Sequence, residues 1–181
     1  MFKDFNVKKY YRKTPPPSGG YTTYAEIKEL TKIPINKKFI KEKDNPIPNF
    51  KKVTDKYGLI LPINDLNNLL HYSRPIIIDL KEFFNRPRPK DIAYKLGIDL
   101  PNVELDSMKT PSYPSGHSAQ GFLLGYFLSA MYPKYTLDFM KVAKDISYSR
   151  NVARCHYRSD SKFGEFLGKE LFNHIKQSYE F

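Results

Sequence analysis

The chain has 181 residues, enough for one domain with a sizeable core, and a second independent domain would have to be very small. Its formal net charge is +11 and its sequence pI is about 9.5, which favours anionic substrates, nucleic acid or an anionic membrane surface. Residues 1–58 carry 14 Lys and Arg against 6 Asp and Glu, so the excess charge belongs mainly to the N-terminal part.

Residues 1–20 mix lysine with tyrosine and end in Thr-Pro-Pro-Pro-Ser-Gly-Gly. This composition is typical of a flexible, solvated arm rather than of packed structure. We therefore divide the chain into a basic arm, residues 1–20, and a single domain, residues 21–181.

The first part of that domain predicts little regular structure. Thr22 or Thr23 can cap a short helix that ends near Leu30. Three prolines then predict irregular structure over residues 33–50.

Helical periodicity strengthens after residue 62. A stripe of leucines predicts a helix that ends near Ser73, and Pro75 is placed to open the next one. Lys81 falls near the end of this second helix, and Arg88 in the following Arg-Pro-Arg-Pro turn can fold back towards it. His71 lies outside any motif, and we expect it to be a partly exposed structural residue.

The middle of the chain places a glycine and a histidine at the start of a buried helix. Residues 90–113 predict a short helix and a polar connection, and Pro-Ser-Gly-His at 114–117 directly precedes the apolar run 118–128. Glycine at a helix N-terminus lets backbone N–H groups approach an anion closely, and the serine hydroxyl adds a donor. This segment therefore predicts an anion site beside His117.

The last part of the chain predicts two more helices, residues 136–156 and a helix after Asp160. The buried face of the first continues to Arg150, so this charge points inward. On a helix, His156 and Asp160 would lie on one face, where the carboxylate can accept a hydrogen bond from one imidazole nitrogen and leave the other unprotonated. No strand pattern of comparable length competes, and we predict an all-α bundle.

The single cysteine, Cys155, adjoins this histidine. One cysteine excludes an internal disulfide. We expect a small buried residue rather than a thiol nucleophile.

Three motifs in this order resemble the phosphatase signature of the type 2 phosphatidic acid phosphatase superfamily. Residues 81–89 read Lys, six residues, Arg-Pro; residues 114–117 read Pro-Ser-Gly-His; and residues 149–160 read Ser-Arg, five residues, His, three residues, Asp. The superfamily includes soluble class A acid phosphatases, membrane lipid phosphate phosphatases and vanadium-dependent haloperoxidases. The positions that agree are Lys81, Arg88, Pro89, Pro114, Ser115, Gly116, His117, Ser149, Arg150, His156 and Asp160.

The resemblance implies a helical bundle and a metal-independent phosphatase of the acid phosphatase type, which needs no cofactor and acts on phosphomonoesters. By this resemblance His156 would attack phosphorus to give a phosphohistidine, Asp160 would orient it, and His117 would protonate the leaving alcohol and then activate water. Arg86 is a second candidate for binding phosphate, although only Arg88 satisfies the six-residue interval. The residues that would bind the substrate phosphate are Lys81, Arg88, Ser115, Gly116 and Arg150.

Other readings stay open at this point. The same residues hold vanadate in haloperoxidases, and the basic arm could bring the enzyme to lipid phosphates at a membrane surface. A reading of a different class is a basic nucleic-acid-binding module, which rests on charge alone, so we do not expect nucleic acid as a partner.

The sequence also carries expectations about location and partners. The first ten residues show no continuous apolar region, and the longest apolar stretch, residues 121–132, is shorter than the ~20 residues that span a bilayer. We therefore expect a soluble, cytoplasmic protein without an integral membrane segment, whose partner is a phosphate-ester substrate. Homo-oligomerisation is left open.

Overall fold

The computed structural model describes residues 1–179, and these form eight α-helices joined by loops and short 3₁₀ turns, without a strand. The all-α prediction is therefore confirmed, while the last two residues of the predicted domain 21–181 lie outside the described part. No helix within residues 1–179 combines the length and apolar character needed to cross a membrane. The helices are α1 (Tyr21–Lys32), α2 (Lys37–Asp44), α3 (Pro46–Tyr57), α4 (Ile63–Phe84), α5 (Pro89–Lys95), α6 (Gly116–Met131), α7 (Thr136–Val152) and α8 (Arg158–Ile175).

Helix α6 lies at the centre of the bundle, packed along its length against α7 and α8. It is apolar almost all round, as a helix enclosed by other helices must be. Two glycines of α8 allow the close approach, because a Cβ at Gly164 would lie 2.6 Å from the carbonyl oxygen of Ser115, and one at Gly168 would lie 2.5 Å from that of Ala119. The N-terminus of α6 is thus held directly against α8.

Residues 33–50 are not irregular as expected, since they contain α2 and the start of α3. Asn36 caps α2 by accepting a hydrogen bond from the backbone N–H of Phe39 (3.0 Å), and Asn45 caps α3 in the same way from Ile47. The prolines do not interrupt these helices, because Pro46 occupies the first turn of α3, where a backbone N–H has no helical partner.

Helix α4 is continuous through Pro75, where two separate helices were predicted. A proline inside a helix removes one hydrogen bond to the preceding turn. Here that turn carries the exposed His71, so its carbonyl can be hydrated, while the opposite face of α4 is buried at Leu66, Leu69, Ile77 and Leu80.

Residues 1–20 pack on the bundle and do not form the loose arm that composition predicts. Phe2 and Tyr10 are buried in the main core, and the Tyr10 hydroxyl donates to Glu170 of α8 at 2.8 Å. The Tyr11 ring stacks on Phe83 of α4 with 3.7 Å between centroids. Burial of the apolar surface of these aromatic side chains stabilises the packed segment, whereas a solvated arm would leave that surface in water.

Helix α7 ends at Val152, four residues earlier than predicted. Arg154 adopts a left-handed backbone conformation with φ 56°, which ends the helix, and its guanidinium donates to the carbonyl of Ile33 at 2.8 Å. His156 consequently lies in the loop between α7 and α8 rather than on a helix.

Candidate active site

The predicted site residues converge on a cavity of about 1110 Å³ between α4, the N-terminus of α6 and the loop formed by residues 104–110. Half of the eight line the cavity, namely Lys81, Gly116, His117 and His156. The other half are buried in the protein around it, namely Arg88, Ser115, Arg150 and Asp160. The fold thus brings three distant parts of the chain to one place.

The histidine and aspartate of the third motif meet across the loop. The Nδ1 atom of His156 lies 3.1 Å from Oδ2 of Asp160, the third residue of α8. The same oxygen accepts a hydrogen bond from the backbone N–H of Tyr157 at 3.0 Å, so Asp160 also caps α8. A single carboxylate therefore fixes both the start of the helix and the orientation of the imidazole.

Arg88 decides the tautomer of His156. Its Nη1 lies 3.0 Å from Nε2 of His156. Because a guanidinium can only donate, Nε2 must accept, and the proton of the neutral imidazole must then reside on Nδ1. Arg88 is itself held by the carbonyl oxygens of Ser107, Thr110 and Cys155.

Four donors surround the carboxylate of Asp160. Arg86 Nη1 approaches Oδ1 at 2.6 Å, while Ser112, Tyr157 and His156 donate to Oδ2. Burial raises the pKa of Asp160, and Arg86 and the hydrogen bonds oppose that rise. Because every neighbour donates, the ionised carboxylate is the form that fits this site.

Burial lowers the pKa of His156 well below its ordinary value, and the nearby charge of Arg88 lowers it further. Both effects favour the neutral imidazole, with an unprotonated nitrogen at Nε2. An imidazole in this state can act as a nucleophile.

Arg86 does not line the cavity. Its guanidinium pairs with Glu26 of α1 as well as with Asp160, donates to Ser159, and lies 3.8 Å from the ring centroid of Tyr157. Arg86 therefore holds Asp160 in place and links α1 to the start of α8. Arg88, not Arg86, is the arginine beside His156.

The N-terminus of α6 presents Gly116 to the cavity. Ser115 is the N-cap and is fully buried, with its hydroxyl 3.0 Å from that of Ser118 and its backbone N–H donating to the carbonyl of Asp160. A Cβ at Gly116 would meet only ordinary contacts, the nearest at 3.6 Å from Ile77. Packing against neighbouring residues therefore does not require glycine at this position. The space in front of the helix N-terminus belongs to the cavity, where an anion can approach the backbone N–H groups.

His117 pairs with Asp44, a residue that the sequence did not single out. Nε2 of His117 lies 3.0 Å from the backbone oxygen of Asp44 and 3.5 Å from its carboxylate. The same carboxylate accepts from Nη1 of Arg150 at 2.8 Å. Asp44 lines the cavity, while the side chain of Arg150 is 0% exposed. Arg150, which the motif assigns to the substrate phosphate, therefore forms an ion pair with the Asp44 carboxylate in this structure.

The pKa is lowered in both of these residues, but the main causes differ. Hydrogen bonding to His117, and then to Arg150, holds the pKa of Asp44 well below its usual range. Burial lowers the pKa of His117, and the hydrogen bond and charge of Asp44 partly restore it.

Lys81 reaches the cavity from the end of α4. Its ammonium donates to the carbonyl oxygen of Pro111 at 2.6 Å. Burial, together with the neighbouring Arg88, lowers the pKa of Lys81 to about 7. An anion bound beside it would favour the charged form.

Cys155 is buried, as expected, and its Sγ donates to the carbonyl oxygen of Arg150. Burial raises the pKa of its thiol, which opposes a thiolate. Within residues 1–179, no three His, Cys, Asp or Glu side chains are grouped so as to hold a metal ion.

Comparison with known proteins identifies the family. The sequence model of the PAP2 superfamily matches residues 66–179. The chain belongs to the PAP2 superfamily. All eight predicted site residues lie within the matched range.

Two curated relatives are similar to this PAP2 chain over part of their length. Over 96 residues it is 29% identical to the non-specific acid phosphatase of Salmonella typhimurium (strain LT2) and 28% identical to that of Salmonella typhi. In each case the match covers 53% of this chain and 38% of the relative. The chain therefore spans well under half of the length of these relatives.

A solved structure shares the fold. The first transmembrane PAP2 type phosphatidylglycerolphosphate phosphatase from Bacillus subtilis superposes with a TM-score of 0.50 at 17% identity, over 95% of this chain and 82% of that one. At this identity the likeness concerns the fold alone.

Within this PAP2 domain, sequence reasoning missed the neighbours that support the motif residues. Asp44, Ser112 and Glu26 stand in segments without a recognisable motif, and each meets its partner across at least 48 positions of the chain. Among these supporting residues, the sequence singles out Arg86 alone, as an alternative phosphate ligand. In the structure Arg86 instead binds the carboxylate of Asp160.

Proposed function

We propose that this chain hydrolyses phosphomonoesters through a phosphohistidine formed on His156, without a metal ion. One observation carries the proposal: Nε2 of His156 is the acceptor of a donor from Arg88 at 3.0 Å, while Nδ1 is paired with Asp160 at 3.1 Å. His156 lines the cavity, so a phosphorus atom placed there faces an unprotonated nitrogen. Membership of the PAP2 superfamily and the similarity to two acid phosphatases support this reading.

Binding of the phosphate depends on fixed positive charge and helix N–H groups. A phosphate beside His156 would meet the ammonium of Lys81 and the backbone N–H of Gly116 in the cavity, with Arg88 next to the attacking nitrogen. Arg150 becomes available once the carboxylate of Asp44 is displaced. Such donors stabilise the charge that develops on the phosphoryl oxygens in the transition state.

Two displacements complete the reaction. In the first, Nε2 of His156 bonds to phosphorus as the ester P–O bond breaks, and His117 gives a proton to the departing alcohol oxygen. In the second, water attacks phosphorus, the P–N bond breaks, and His117 takes the proton from that water. Inorganic phosphate leaves, and both histidines return to their starting states.

The test is hydrolysis of an aryl phosphate in the presence of EDTA, with vanadate as a competing phosphate analogue. We expect activity that resists EDTA, is inhibited by vanadate, and falls by roughly 10⁴-fold or more in His156→Ala. Trapping of a phosphorylated protein by acid quench, absent in His156→Ala, would identify the intermediate.

His71→Gln is the matched control, because His71 is exposed and lines the same cavity outside the motif. It should keep the wild-type rate. Full activity of His156→Ala would refute the proposal. Halide oxidation by peroxide after vanadate loading, with no phosphate ester hydrolysed, would replace it with the haloperoxidase alternative.

A further inference from the structure

The cavity is larger than a phosphate group requires, and it extends along α4. Its volume of about 1110 Å³ exceeds the roughly 300–1,000 Å³ of pockets that enclose drug-sized ligands. Helix α4 contributes residues at three- and four-residue spacing, which form one face of the helix: Leu70, His71, Arg74, Ile77, Ile78 and Lys81. The wall therefore runs from Lys81, near the end of α4, back towards its middle.

Arg74 is the second cation on that face. Lys81 lies seven positions further along the chain, which corresponds to about 10 Å along the helix axis. The stretch between the two cations is apolar, formed by Ile77 and Ile78, and Met108 lines the same cavity. A ligand that reaches from one cation to the other thus passes an apolar wall.

The other charged side chains that line the cavity already have partners. Asp44 pairs with Arg150 at 2.8 Å, Glu104 with Lys90 at 2.7 Å, and Asp106 with Lys109 at 3.8 Å. The ammonium of Lys81 donates to a backbone carbonyl. The Arg74 guanidinium, by contrast, has no hydrogen-bond or ion-pair partner within residues 1–179.

We propose that Arg74 binds a second anionic group of the substrate, about 10 Å from the scissile phosphate along α4. This inference rests on the proposed phosphatase function and narrows its substrate class. The substrate would be a phosphomonoester whose alcohol carries a phosphate or carboxylate beyond an apolar spacer. The guanidinium of the exposed Arg74 can donate two parallel hydrogen bonds to a phosphate or carboxylate, which adds geometric specificity to the attraction of opposite charges.

The turnover experiment compares octanediol bisphosphate with octyl phosphate, and ethanediol bisphosphate serves as the short-spacer substrate. We expect wild type to prefer octanediol bisphosphate, and Arg74→Gln to lower the ratio of its kcat/KM to that of octyl phosphate by about ten-fold or more. The short bisphosphate cannot reach Arg74 from the reaction centre, so its kcat/KM should not share this effect. Lys109→Gln, which removes an exposed cavity cation already paired with Asp106, should leave the ratio unchanged.

A binding experiment separates failure of this inference from failure of the proposed function. Calorimetry measures binding without turnover, and its ligands are octane bisphosphonate, octylphosphonate and a phosphonate bearing a terminal carboxylate. Binding of the third ligand tells whether the distal anion can be a carboxylate. Tighter binding of either doubly anionic ligand, lost in Arg74→Gln, supports the subsite even if no ester is hydrolysed. Hydrolysis of octyl phosphate by wild type with an unchanged ratio in Arg74→Gln would overturn the subsite and leave the phosphatase reading intact.

Discussion

At the scale of single residues, the candidate site depends on which partner each charged group has. Asp160 is surrounded by four donors, so it holds the Nδ1 proton of His156 in place, while Arg88 keeps Nε2 free of a proton. The two histidines have different environments. Burial lowers the pKa of both. Nearby cations, Arg88 first, lower that of His156 further, whereas the hydrogen bond and charge of Asp44 partly restore that of His117.

The pH dependence of kcat/KM follows from these shifts. His156 must be neutral to attack, so activity falls as pH decreases through its low pKa. His117 must be protonated to donate, so activity falls as pH rises through its own pKa, which lies below the ordinary value. Asp44→Asn removes the charge that raises the pKa of His117, and we expect the alkaline limb of the profile to move to lower pH.

The measurement is kcat/KM for an aryl phosphate over a pH series. Asp55→Asn is the matched control, since it makes the same substitution at an exposed pair on α3, 2.6 Å from Lys51. Ionisation of the substrate is common to all variants and cancels in the comparison. An alkaline limb that stays in place, or moves to higher pH, in Asp44→Asn would show that this carboxylate does not act on His117.

At the scale of elements, the close contact of α6 with α8 positions the second motif against the third. A Cβ at Gly168 would lie 2.5 Å from the backbone oxygen of Ala119 and 2.9 Å from Cβ of Phe122. Neither atom can move without the α6 backbone. The contact therefore depends on the absence of a side chain at this position of α8.

Gly168→Ala should destabilise the protein by about 1–3 kcal/mol because it overpacks this contact. Urea unfolding measures this as a lower midpoint at an unchanged slope. Gly19→Ala is the control, because a Cβ there would meet nothing within 4 Å, and it should change stability by no more than about 0.5 kcal/mol. Equal stability of the two variants would mean that α6 and α8 can separate without cost.

At the scale of the whole molecule, the N-terminal segment belongs to the same core as the site helices. Tyr10 is 3% exposed, stacks on Phe5 with 5.5 Å between ring centroids, and meets Phe166 of α8 at 6.0 Å. The ring of His174 stacks against Phe2 in the same aromatic group. This segment therefore covers one side of α8.

Tyr10→Ala should lower the free energy of unfolding by about 3 kcal/mol, since it removes a buried aromatic ring and its hydrogen bond to Glu170. Lys8→Ala, at an exposed position of the same 3₁₀ turn, should change it by less than about 0.5 kcal/mol. Thermal or urea unfolding of both variants decides the matter. If Tyr10→Ala is as stable as wild type, the segment is the solvated arm that its composition predicts.

The sequence by itself determined the fold class, the family and a compact set of candidate site residues. Apolar residues at helical spacing are local signals, and they predicted α4, α6, α7 and α8 with errors mainly at Pro75 and at the end of α7. The three motifs are local as well. The roles assigned to their residues stay predictions, although the structure brings all eight residues to one cavity or its immediate surroundings.

Only the tertiary structure decided the partners of those residues. Asp44 meets Arg150 across 106 positions, Arg86 meets Asp160 across 74, and Tyr10 meets Glu170 across 160. Contacts at such separations depend on how helices pack, because periodicity within one helix specifies which face is buried and not which residue it will face. For the same reason, the docked N-terminal segment and the run of the cavity along α4 to Arg74 become visible only in the folded molecule.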